Sequence, residues 1–277
     1  MKHNHNEAGF GHVLAFLLII VVLGVIGYAG WVVLSKKTPF NNIIINHSGN
    51  KKDGTLSWAF INDEWKPSAT PPSCPDPLLS QSPVDLTQAT AILYPGQTRN
   101  LYKPHGGFLF GNNTDNDVNV ALAMDAKVID GVRYLEAGDE QYMFDFENAC
   151  GVQMRYDHLL TLTDTMQQIA DQLPEATESS HTTPLTSTTF KAGELIATAV
   201  GHPAPKLNVG MDFGVYDLRK PNEASKNATY AAAHNDSKSQ AFYATCWLNS
   251  LPSTDKTAAL ALPGGDGKAG KTSDYCK

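Results

Sequence analysis

The sequence predicts a mainly β protein: an antiparallel β-sandwich or half-barrel with one short helix, preceded by an N-terminal transmembrane helix. Three observations predict it. Short runs rich in β-branched and aromatic residues recur at close spacing through the middle of the chain. Gly and Asx turns separate them, and a single stretch carries clear helical spacing.

Taken in order, Val13 to Leu34 is an uncharged apolar run as long as the ~20 residues that a bilayer demands. It is long for a cleaved signal peptide and lacks a small-x-small cleavage site, so residues 1–37 read as a signal anchor. Lys2 ahead of the span and Lys36-Lys37 behind it lean toward a cytoplasmic C-terminus. Four cysteines argue the other way, because an even set suits two disulfides outside the cytoplasm. The expected location is therefore the cell membrane, single-pass, with the C-terminal part outside. Gly9-Phe10 suggests a prepilin cleavage site, but Leu14 stands where glutamate is needed, so a pilin-like or adhesive surface protein is a minor reading.

Residues 38–81 hold one β-like run, Ile43-Ile44-Ile45, and then Pro71-Pro72 and Pro75 around Cys74, a tether or a wrapping loop pinned by the cysteine. The β domain is expected over 82–220. Its strands are Ala91–Leu93, Gly107–Phe110, Val118–Met124, Lys127–Ile129, Gln141–Phe146, Val152–Tyr156, Leu195–Val200 and Met211–Tyr216. Asp164 to Leu173 is the helix, with Met166, Ile169 and Leu173 on one face and Pro174 as the stop. Glu175 to Thr189 is Ser/Thr-rich and reads as an exposed loop. Residues 221–277 form a C-terminal extension held by a disulfide. Of the connectivities open to four cysteines we expect Cys74–Cys150 and Cys246–Cys276, a choice that spacing alone does not make.

The net charge of −7 argues against binding nucleic acid through a basic surface. No phosphate loop, dinucleotide fingerprint, Gly-x-Ser-x-Gly elbow or His-Glu-x-x-His helix is present, and no carboxylate pair stands out as a glycosidase couple.

Chemistry concentrates in three patterns. The first is Lys103-Pro104-His105-Gly106-Gly107-Phe108-Leu109-Phe110, an imidazole at the entry of an apolar strand. The second is Met154-Arg155-Tyr156-Asp157-His158-Leu159. The third is Lys191-Ala192-Gly193-Glu194-Leu195-Ile196-Ala197, followed by Gly201 and Val209-Gly210-Met211-Asp212-Phe213-Gly214-Val215. In this order the motifs resemble the lysostaphin/LytM-type zinc endopeptidases (peptidase family M-twenty-three), over about Pro83 to Arg219. That resemblance implies a compact β fold that acts on peptidoglycan. It implies His105 and Asp212 at the metal position, His158 as the catalytic histidine, and Tyr102, Gly106, Gly107 and Tyr156 along the binding groove.

The departures matter as much. Leu109 stands where the family has a ligating aspartate, and Gly210-Met211-Asp212 stands where it has His-x-His. A hydrolytic zinc site needs three protein ligands and an open position for water. The expected state therefore carries no cofactor, and the expected role is a catalytically degenerate module that binds peptidoglycan or a cell-wall protein. Zinc enters only under the alternative, an active endopeptidase using His105, Asp212 and His158. Taken singly, His105 reads as a turn histidine and His158 as one held by a carboxylate. Asp212 lies on a strand face it shares with Gly210 and Gly214, which suggests a cleft floor. Trp58, Trp65 and Trp247 read as packing anchors.

Overall fold

Alternation along the strands decides which side chains are buried, and the computed structural model, which describes residues 56–277, follows it closely. The expected membrane span, the Ile43–Ile45 run and the Gly9-Phe10 site lie outside the described residues. Among the described residues no helix is long and apolar enough to cross a membrane.

Strands β1 (Trp58–Ile61) and β2 (Glu64–Pro67) make a hairpin whose turn residues, Asn62 and Asp63, both take positive φ, as the tight primed turn requires. Then come β3 (Ala91–Leu93), β4 (Gln97–Arg99), β5 (Leu101–Lys103), β6 (Gly106–Leu109), β7 (Asp117–Ala121), β8 (Ala126–Glu136), β9 (Asp139–Asn148) and β10 (Val152–Leu162). Helix α1 (Asp164–Ala170) follows, then β11 (Thr183–Pro184), β12 (Thr189–Phe190), β13 (Leu195–Val200) and β14 (Gly210–Asp217). The last part carries α2 (Ala228–Ala233), α3 (Lys238–Ala241) and α4 (Ser253–Ala261).

Every pairing between these strands is antiparallel. A ten-stranded sheet runs in the order β11-β8-β9-β10-β14-β6-β3, with β12 on β8, and β13 bridging β10 to β7. The path is open at both ends, so an open sheet replaces the expected sandwich or half-barrel. One short helix was expected, and the extension holds three more. Each is brief, and the Ala-rich α2 offers no apolar stripe from which periodicity could be read.

One face of the sheet builds the main core. Phe108, Phe144, Phe146, Met154, Tyr156, Met211 and Phe213 all point there, and Trp247 from the extension closes against Phe108 and Phe213. Leu248, Leu251 and Ala259 of the extension and Leu79 of the expected tether belong to the same core. The flanking segments are thus built into the fold. Disulfides fasten both, Cys74 to Cys150 and Cys246 to Cys276.

The opposite face carries charge where sequence alone would place water. Asp145, Arg155, Asp157, Asp212 and Tyr216 share it through the register that sets Arg155 opposite Gly214 and Asp157 opposite Asp212. It is not left open. A second apolar cluster of Trp58, Tyr216, Leu218, Tyr243 and Ala244, with Phe60 and Trp65 packed on it, lies on that side. For this reason β14 is buried along nearly its whole length.

Candidate functional site

The three sequence patterns converge. Met211 and Phe213 turn into the core, so Asp212 turns onto the polar face. It pairs with Gly107 on one side and Asp157 on the other. A side chain at Gly107 would stand 3.0 Å from the Asp212 carboxylate and 2.3 Å from the Met211 carbonyl, so this glycine makes room for the acid. His105, at the entry of β6, brings Nε2 to 2.8 Å from Asp212 Oδ2. His158 places Nε2 3.8 Å from the same oxygen.

His158 reaches it by a local distortion. Tyr156 pairs with Phe144 and Leu159 with Tyr142, so Asp157 and His158 together face a single residue of β9. This is a β-bulge, and His158 adopts φ +63°, a left-handed conformation that is costly for a side chain of its bulk. In a regular strand Asp157 and His158 would point to opposite faces. The bulge lets Tyr134, which donates its hydroxyl to Asp157 Oδ1 at 2.6 Å, also lie 3.2 Å from His158 Nδ1. The Gln141 side-chain oxygen sits 2.7 Å from that same nitrogen, and Glu136 Oε2 lies 3.4 Å away. Gln141, fully buried, donates in turn to the Gly201 carbonyl and meets His202 Nδ1 at 3.3 Å. His202 then contacts Asp139, which Lys206 also holds.

The fourth member was not foreseen. Arg99, at the end of β4, extends Nη2 to 4.0 Å from Asp212 Oδ1. Its guanidinium also donates to the Tyr94 carbonyl at 3.0 Å and the His105 carbonyl at 3.3 Å. Burial alone would raise the Asp212 carboxyl, yet His105, His158 and Arg99 together outweigh it and hold the acid far below the usual carboxylate range. Burial pulls His158 down, but Asp157, Asp212 and Glu136 reverse this and leave it raised, against a smaller opposing effect from Lys103. The site is therefore a buried carboxylate that faces one guanidinium and two imidazoles.

Of the other expected groove residues, Gly107 packs against Asp212 and the rest lie elsewhere. Tyr156 is fully buried in the core, where its hydroxyl accepts from the Ala123 amide. Gly106 faces the Leu93 carbonyl and the Trp247 indole, so neither it nor Gly107 lines an open surface. Tyr102 stacks on His234 with ring centroids 3.7 Å apart, and its hydroxyl bonds to those of Tyr230 and Tyr275. The sequence held little signal for Arg99, Tyr134 or Gln141. Arg99 sits in a strand of three residues, and a lone Gln in a strand reads as a surface position. A hollow of about 460 Å³ near Thr163, Asp164, Thr188 and Glu194 includes none of these residues.

Zinc is a poor fit to this arrangement. His105 Nε2 meets Asp212 Oδ2 directly at 2.8 Å, so the two groups already engage each other. Arg99 already brings a permanent cation to the carboxylate. Among the described residues, no three His, Cys, Asp or Glu side chains are placed to hold a metal ion.

No known family model matches the chain, and no curated protein matches it. Among solved structures it is similar to a zinc-containing peptidase from Vibrio cholerae, at 19% identity and a TM-score of 0.31, over 58% of this chain and 43% of that one, and so it spans less than half of that protein's length.

Proposed function

We propose that the chain is a membrane-anchored, extracytoplasmic LytM-like module that binds peptidoglycan or a cell-wall protein at the His105–Asp212–His158 site and does not cut it. One observation carries the reading: the Asp212 carboxylate is already engaged by protein groups, with the Arg99 guanidinium at 4.0 Å and the His105 imidazole at 2.8 Å. A hydrolytic zinc would need that carboxylate for itself and a free position for water. His158, by contrast, keeps its Nε2 directed at the cluster while 24% of its side chain meets solvent, which suits a hydrogen-bond donor to a polar ligand.

The test is sedimentation of the full chain, in mild detergent, with purified insoluble peptidoglycan. The reading expects retention that a chelator leaves unchanged, with no release of soluble fragments. Chelator-sensitive release of peptide or glycan fragments would refute it. It would establish the second reading, a metal-dependent endopeptidase, which the strained backbone at His158 favours because such strain gathers at reactive positions.

A further inference from the structure

Gly201, the glycine between the two halves of the third sequence pattern, touches the site through both its amide and its carbonyl. Its N–H donates to the His158 carbonyl at 2.7 Å, and its own carbonyl accepts from Gln141 Nε2 at 2.8 Å. Only a residue without a Cβ fits there, because φ is +78° and a Cβ would collide with the Asn208 carbonyl. Gln141 closes the loop, with its Oε1 2.7 Å from His158 Nδ1. Asp157 adds a further tie, since its side chain accepts from the His158 amide at 2.8 Å. The cycle thus holds the left-handed backbone of His158 and its imidazole at once.

The direction of each hydrogen bond in the cycle follows from what each atom can do. A backbone carbonyl only accepts, so the Gln141 atom facing Gly201 is the amide nitrogen and the atom facing His158 is the oxygen. That oxygen also only accepts, so Nδ1 carries the hydrogen. Tyr134 agrees, because its hydroxyl hydrogen goes to Asp157 Oδ1, which leaves its oxygen as an acceptor toward Nδ1 at 3.2 Å. Glu136 Oε2, at 3.4 Å, is a third acceptor. We infer that Gln141, oriented by the Gly201 carbonyl, is a positioning residue that keeps the proton of His158 on Nδ1 and so makes Nε2 the ring nitrogen offered to a ligand. The inference rests on the reading that a polar ligand binds at His158. Turning the ring over would set a carbon against Gln141 Oε1 and cost that fully buried oxygen its short hydrogen bond.

The experiment combines ¹⁵N NMR of the histidine rings, in the full chain in mild detergent at alkaline pH, with sedimentation on insoluble peptidoglycan. The His158 signals are assigned by their loss in H158N. The parent is expected to show hydrogen on Nδ1 and none on Nε2. Q141L, which removes the acceptor, should show a mixture of the two tautomers and several-fold weaker retention. Q141E, which keeps an oxygen at the same place, should restore Nδ1–H and most of the retention. Because Gln141 acts through His158, Q141L/H158N should be retained no less than H158N alone. The parent spectrum needs no substitution at Gln141, so the test holds even if Q141L does not fold. Hydrogen on Nε2 in the parent overturns the inference, as does a further loss of retention in Q141L/H158N, and both leave the binding reading standing. Undiminished retention in H158N, with Nδ1–H seen in the parent, would instead overturn the reading of His158 as a ligand contact.

Discussion

Asp212→Asn keeps the shape of the side chain and deletes its charge, leaving Arg99, His105 and His158 around a neutral amide. At an effective dielectric of ~20, unit charges at the 4.0 Å separation of Arg99 and Asp212 attract by roughly 4 kcal/mol before desolvation takes its share. Removing one member of a buried pair costs ~3–5 kcal/mol net, and asparagine still accepts hydrogen bonds, so a loss of about 3 kcal/mol at neutral pH is expected. Urea unfolding of the detergent-solubilised chain with disulfides intact measures it, as a lower midpoint at unchanged slope. In an R99Q background the same substitution should cost at least about 1 kcal/mol less, because the partners are coupled. The gap also has a defined pH profile. Asp212 is depressed in the folded chain, so its contribution is complete above the usual carboxylate range and fades as pH falls below ~4. His158 is raised, so its share is complete below ~6.5 and fades as pH climbs through its folded value. The difference between parent and D212N should therefore peak between about pH 4 and 6.5. A change within about 0.5 kcal/mol at every pH would refute the claim that Asp212 is the hub of a buried charge cluster.

Three further outcomes follow from the same geometry. Gly151→Ala should destabilise by ~2–4 kcal/mol, because φ is +95° there and a Cβ would lie 2.4 Å from the Trp58 ring; a melting temperature equal to the parent's would contradict this. His158→Asn should keep stability within ~1 kcal/mol, since asparagine tolerates the left-handed backbone, yet reduce peptidoglycan retention several-fold. Equal retention would remove His158 from the site. Cys246→Ser with Cys276→Ser opens a link between residues 30 apart and should cost about 3–4 kcal/mol by loop entropy, read by thermal unfolding under non-reducing conditions.

How far the fold was legible can be seen strand by strand. Ala91–Leu93 and Leu195–Val200 form strands with the ends the sequence suggested, because apolar runs end there at turn residues. β10 was expected to stop at Tyr156 but continues to Leu162, past a bulge that no residue type announces. β4 and β5 were missed because a hairpin of three-residue strands has no period to detect, and with it went Arg99. The open sheet was also hidden, since strand content does not say whether edges meet. Motif order singles out His105, His158 and Asp212, and their convergence follows from the β6–β14–β10 register. Tyr156 and Gly106 were misplaced for one shared reason. Proximity in sequence to a site residue says nothing about face, and both turn toward the core. The burial of the polar face has no sequence signal, because alternating charged residues normally mark a solvated surface, whereas here the β1–β2 hairpin and the extension pack over it.

Elemental analysis of the purified full chain, expressed with ample zinc and dialysed without chelator, tests the central claim most directly. A carboxylate already engaged by the Arg99 guanidinium and the His105 and His158 imidazoles predicts zinc well below one ion per chain, unchanged by His105→Ala or Asp212→Ala. One zinc per chain, lost in either variant, would contradict the account.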